Sequence, residues 1–103
     1  MSKYDKFVIY KIYQPECPEI IYIGSTTNFS SRKSNHKKYC HNRVSKKYHY
    51  PIYQYIRSCG GIDKFNIEIV EKYPCKTKME GLQREKELII LHNAKLNTNK
   101  PIK

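Results

Sequence analysis

Two runs of strand-forming residues, FVIYKIY ending at Tyr13 and Ile20 to Gly24, lie on either side of a segment that holds Pro15 and Pro18. This arrangement constrains the fold more than any other feature of the chain. The first run, Lys6 to Tyr13, is β-branched or aromatic, as expected of a strand that meets apolar neighbours on both faces. Proline cannot donate to a sheet ladder, so Gln14 to Glu19 is expected to turn and the two runs to pair as a β-hairpin. Tyr10 and Tyr22 have the same parity about the loop. A hairpin without a bulge therefore puts both phenols on one sheet face, a short diagonal apart. With 10 tyrosines in the chain, such a pair also arises from strand preference alone.

After the hairpin, Asn28 can accept from the first free amides of a helix that runs without a strong breaker to the neighbourhood of Asn42. Val44 to Tyr50 reads as a polar, basic loop. Pro51 suits the first turn of a second helix, in which Ile52, Tyr55 and Ile56 recur at helical spacing until Gly60-Gly61 stops it. Phe65 to Ile69 alternates as a half-buried strand does, and Pro74 closes that segment. Thr77 and Glu80 have capping-box spacing for a third helix reaching about His92, with Met79, Leu82 and Ile89 as its apolar stripe. The order β-β-α-α-β-α predicts one small α/β domain over residues 1–103, a short three-stranded, mainly antiparallel sheet flanked by helices. A chain of 103 residues can bury one modest core.

Lys and Arg number 20 against 9 for Asp and Glu, giving a formal charge of +11. Such self-repulsion favours a polyanionic partner, and nucleic acid is the leading candidate, although an AT-rich coding sequence also enriches Lys, Ile, Tyr and Asn. No run approaches the roughly 20 apolar residues that cross a bilayer, and MSKYDKF lacks a signal-peptide core. The reading is an intracellular, soluble protein, cytoplasmic or nuclear, with no membrane partner. The four cysteines form no C-x-x-C pair, which argues against a zinc ribbon and leaves them as reduced, mostly structural thiols.

Several residues could carry chemistry. Gly24 ends its strand and leaves room for close approach, although alone it is ordinary punctuation. On the first helix Phe29, Arg32 and His36 share one stripe, so if Phe29 anchors that face inward, Arg32 and His36 are directed towards the hairpin. Lys33, Lys37 and Lys38, with Arg43, Lys46 and Lys47 of the basic stretch Asn42 to Tyr50, are the expected nucleic-acid-binding surface; a solvated face accounts for them equally. Glu85 lies on the flank of the third helix's apolar stripe, where a carboxylate needs a partner, either a basic side chain or a divalent cation.

Taken together, Val8-Ile9-Tyr10, Tyr22-Ile23-Gly24, Arg32, His36, Glu85 within R-E-K-E-L-I and Leu96-Asn97 resemble the GIY-YIG endonuclease family, over a motif core of about 7–97 with 98–103 as a polar tail. The order of the elements and the secondary structure around each also match. Val8 replaces the family's first glycine, at a strand position with no reactive side chain. The resemblance implies a catalytic set of Tyr10, Tyr22, Arg32, His36, Glu85 and Asn97. In it Arg32 meets the scissile phosphate, Glu85 binds one divalent metal, Mg²⁺ or Mn²⁺, and Asn97 steadies the site. It also implies a DNA substrate, with products carrying a 5′-phosphate and a 3′-hydroxyl. Because a free phenol is a poor base, a Tyr10–His36 relay is expected, in which neutral His36 accepts the phenolic proton while Tyr22 positions water or phosphate. The alternative is a catalytically inactive basic module that binds nucleic acid. No appended specificity element is evident, which leaves loose specificity, recognition of DNA shape, or a protein partner or homodimer to choose the target.

Overall fold

The computed structural model describes residues 3–94, with residues 3 and 17–21 described by their backbone alone. Strands β1 (Val8–Gln14) and β2 (Cys17–Thr26) form the hairpin, and β3 (Asn66–Lys72) pairs antiparallel with the other side of β1. The order across the sheet is thus β2-β1-β3. Among the described residues the sheet is accompanied by three α-helices: α1 (Phe29–His41), α2 (Pro51–Ser58) and α3 (Lys78–His92). This is the expected small α/β fold, with its elements in the expected order.

The hairpin is tighter than the prolines suggested. The chain reverses at Pro15-Glu16, and Pro18 lies within β2, which can hold it because β2 is an edge strand. Register irregularities lie between Ile12 and Gln14, on the turn side of the pairs Tyr10↔Gly24 and Ile12↔Tyr22. Tyr10 and Tyr22 therefore remain diagonal neighbours on one face, as an unbulged hairpin would have placed them.

Alternation along β1 divides the core between the two faces of the sheet. On one face Tyr10 and Ile12 pack with Cys40 of α1 and with Ile52, Tyr53 and Ile56 of α2. On the other, Ile9 and Ile23 pack with Phe7 and with Leu88 of α3. Ile9, Ile12, Ile23 and Ile56 lose all solvent contact, and each contributes on the order of 2 kcal/mol of hydrophobic stabilisation.

Local chemistry sets the helix ends. Asn28 Oδ1 accepts from the Ser31 amide at 3.0 Å, and Thr77 and Glu80 form the reciprocal capping box. The basic loop is more ordered than its composition indicates. It contains a 3₁₀ turn, Lys46–His49, whose Lys47 amide donates to Ser45 Oγ at 3.1 Å. Arg57 of α2 donates to the carbonyls of Cys40 and Tyr48, at 3.2 and 2.7 Å, and lies over the Tyr48 ring.

Two apolar stripes differ from expectation. On α2 the buried aromatic residue is Tyr53, with Tyr55 only half-buried. Both tyrosines lie roughly 80° to either side of the Ile52–Ile56 line, so periodicity alone does not choose between them. On α3 Met79 is 76% exposed and Leu82 is exposed, while Gly81 and Leu88 are buried. The helix is turned this way because Phe7 occupies the space where a Cβ on residue 81 would stand. Glycine lets the helix axis descend onto that ring, and Met79 falls on the opposite side.

Candidate active site

Strand pairing places Gly24 directly opposite Tyr10, and a Cβ at position 24 would collide with the Tyr10 hydroxyl. The phenol therefore crosses the backbone of β2 because that residue has no side chain. His36 reaches the same spot from α1 and is buried. Its Nε2 shares a 2.8 Å hydrogen bond with Tyr10 Oη, and its Nδ1 shares one of the same length with Tyr53 Oη. The Tyr22 ring stands edge-on to the imidazole, at 6.1 Å between centroids.

Burial dominates the electrostatics of this cluster. Loss of solvent, aided by the positive charges of Arg32 and Lys47, lowers the His36 pKa to about 4, so the ring is neutral near pH 7. Burial likewise pushes the Tyr10 and Tyr22 phenols up. Glu85 reinforces that rise at both, while the positive charge of Arg32 opposes it at both. The charges of Arg32 and Glu85 thus converge on the two phenols.

Arg32 is exposed, four residues before the buried His36 on α1. It opens onto a surface hollow of about 250 Å³ that is also lined by Ser25, Thr26, Thr27 and Lys78. Glu85 comes from α3, on the other side of the sheet, and its Oε1 accepts from Ser25 Oγ. The cation beside it in sequence, Arg84, is engaged by Glu71, with both bonds at 2.8 Å, and by Glu87 at 3.0 Å. No cluster of three or more His, Cys, Asp or Glu side chains occurs among the described residues. A cation held by Glu85 would rest on that carboxylate, with water and substrate oxygens completing its shell. This donor set fits a hard ion such as Mg²⁺, which keeps much of its water.

The expected nucleic-acid-binding residues occupy α1 and the loop after it. Lys33 and Lys37 line two shallow hollows, one along α1 and one beside Phe65 and Glu68. Lys38, Arg43 and Lys46 are exposed, and Lys47 is stacked over the Tyr39 ring at 4.9 Å. Asn97 lies outside the described residues. Cys40, Cys59 and Cys75 are free thiols. Among the described residues no helix is long and apolar enough to cross a membrane.

Two contacts at the site were not anticipated from the sequence: Ser25 on Glu85 and Tyr53 on His36. Ser25 directly follows Y-I-G, but nothing local marks its hydroxyl as facing an acid 60 residues away. Tyr53 is obscured by the symmetric flanking of the α2 stripe.

With this geometry in view, the chain was compared with known proteins. The family model described as the GIY-YIG catalytic domain matches residues 6–99. Comparisons with curated proteins and with solved structures gave no match.

Proposed function

The chain belongs to the GIY-YIG family of nuclease domains, and from that premise we propose that it is a metal-dependent DNA endonuclease that hydrolyses phosphodiester bonds. The observation that carries the reading is the convergence on Tyr10 of a neutral imidazole at 2.8 Å and of the opposite charges of Arg32 and Glu85.

Hydrolysis needs a proton acceptor for the attacking water and compensation for charge building on phosphate. Tyr10 Oη is the acceptor in this reading, and Tyr22 orients the water or a phosphate oxygen. Arg32 offers a permanently charged planar fork that matches phosphate oxygens better than lysine does. Its exposure beside a polar hollow suits a residue that engages an incoming strand. Glu85, oriented by Ser25, holds one divalent cation, Mg²⁺ or Mn²⁺, which when bound supplies charge stabilisation at the leaving oxygen. Lys33, Lys37, Lys38, Arg43, Lys46 and Lys47 neutralise backbone phosphates on either side.

The test is nicking of supercoiled plasmid with Mg²⁺ or with EDTA. Wild type is expected to nick only with the metal, and Glu85→Ala and Arg32→Ala are each expected to slow nicking by at least about 100-fold. Wild type that binds DNA tightly but cleaves nothing with any divalent ion would instead establish a binding module.

A further inference from the structure

The hollow beside Arg32 has a second cation in its wall. Lys78, the first residue of α3, lines it together with Arg32 of α1, so the two charges come from helices of different layers. The rest of its polar lining is hydroxyl, from Tyr4, Ser25, Thr26 and Thr27, with no acid among them. Lys78 makes no ion pair among the described residues. Glu80, the nearest acid along the chain, has its carboxylate committed to the amides of Lys76 and Thr77, at 2.8 and 3.3 Å. Nor does the helix gain from this lysine, because a positive charge in the first turn opposes the helix dipole, whose N-terminal end favours acids. A cation that lacks a partner and costs its own helix stability is left to a ligand of opposite charge.

The relation of Lys78 to Glu85 narrows what that ligand is. About two helical turns separate them, which puts both on one face of α3, about 10 Å apart along its axis. Ser25 connects the two places, since its hydroxyl meets Glu85 and the same residue lines the hollow. Each nucleotide of a strand advances about 3.4 Å, so a strand held at Glu85 presents its next phosphates over that distance. We propose that Lys78 binds a backbone phosphate of the cleaved strand within about three nucleotides of the scissile bond, so that the strand crosses the edge strand β2 from α1 to the start of α3. The proposal rests on the nuclease reading and extends it: Arg32 and Glu85 act at the bond that breaks, and Lys78 holds the strand beside it. A contact to a phosphate that does not react is equally strong in the ground and transition states, so it belongs to KM and not to kcat. Lys78 is thus a positioning residue for the substrate.

Binding is measured first, in EDTA, by fluorescence anisotropy on a short DNA duplex. Lys78→Ala should lower the slope of log affinity against log salt by about one, and Lys78→Arg should restore it. A slope equal to that of wild type in Lys78→Ala overturns the inference. Because Lys78 opposes its helix dipole, Lys78→Ala should melt no lower than wild type; a fall in Tm shared by Lys78→Gln would make the residue structural and overturn the inference too. On a duplex whose break has been mapped, Lys78→Ala should raise KM about three- to tenfold with kcat within about twofold of wild type, whereas Arg32→Ala acts on kcat. Single phosphates replaced by uncharged methylphosphonates locate the contact. At one position within about three nucleotides of the break, the replacement should weaken wild type but weaken Lys78→Ala no further, the non-additivity of a shared contact. Additive losses at every such position overturn the inference even where wild type nicks plasmid. Conversely, a wild type that never nicks, but whose salt slope falls in Lys78→Ala and returns in Lys78→Arg, refutes the nuclease reading and leaves Lys78 as a phosphate contact.

Discussion

His36 makes the acid side of the stability curve a direct report on the site. In the folded chain its ring takes a proton only near pH 4, whereas an unfolded histidine does so near pH 6.5. Between those values the unfolded chain binds the additional proton. The stabilisation is therefore fully present above about pH 6.5 and is lost as pH falls through the folded value, with a total on the order of 3 kcal/mol. His36→Gln should show a smaller drop in urea midpoint than wild type between about pH 7.5 and pH 4.5. An identical drop would mean that the ring is not held neutral. At this scale the sequence showed which side chains would meet better than it showed what holds them. Tyr10 and His36 were placed by strand parity and helical spacing, both local rules. The supports were not, because the hydrogen-bonding needs of Tyr53 and Ser25 are met by residues 17 and 60 positions away.

Among the elements, α3 has the most exacting seat. Its descent onto Phe7 depends on the absence of a side chain at residue 81, and its outer flank is tied to β3 by the forked Arg84–Glu71 pair. Because both partners of that pair are about a third exposed, it fixes orientation more than it adds stability. Gly81→Ala forces a methyl group into the Phe7 ring and should cost about 1–3 kcal/mol, read as a lowered Tm. It should also reduce nicking in molecules that remain folded, since Glu85 moves with the helix. Unchanged Tm and activity would show that Phe7 yields without cost. The extent of α3 was legible from its capping box. Its rotation was not, because counting apolar residues gives weight to Met79 and none to a glycine chosen for what it leaves out.

For the molecule as a whole, 20 basic against 9 acidic residues set how it meets a polyanion. Log affinity for duplex DNA should fall linearly with log salt as phosphate contacts release counterions. Substituting Lys37 by Ala should reduce that slope by about one while leaving preference among sequences unchanged, as measured by fluorescence anisotropy. A slope indifferent to every lysine of α1 would move the DNA to another face. The proposed site also draws on both layers of the fold. Tyr10 and Tyr22 face α1 and α2, whereas Ser25, paired with Ile9, meets Glu85 on the side of α3. A nascent chain that has seated only one helical layer has half an apparatus. If the domain is the nuclease proposed above, hydrolysis would be withheld until assembly is finished, and a partly built molecule would be harmless to the nucleic acid around it.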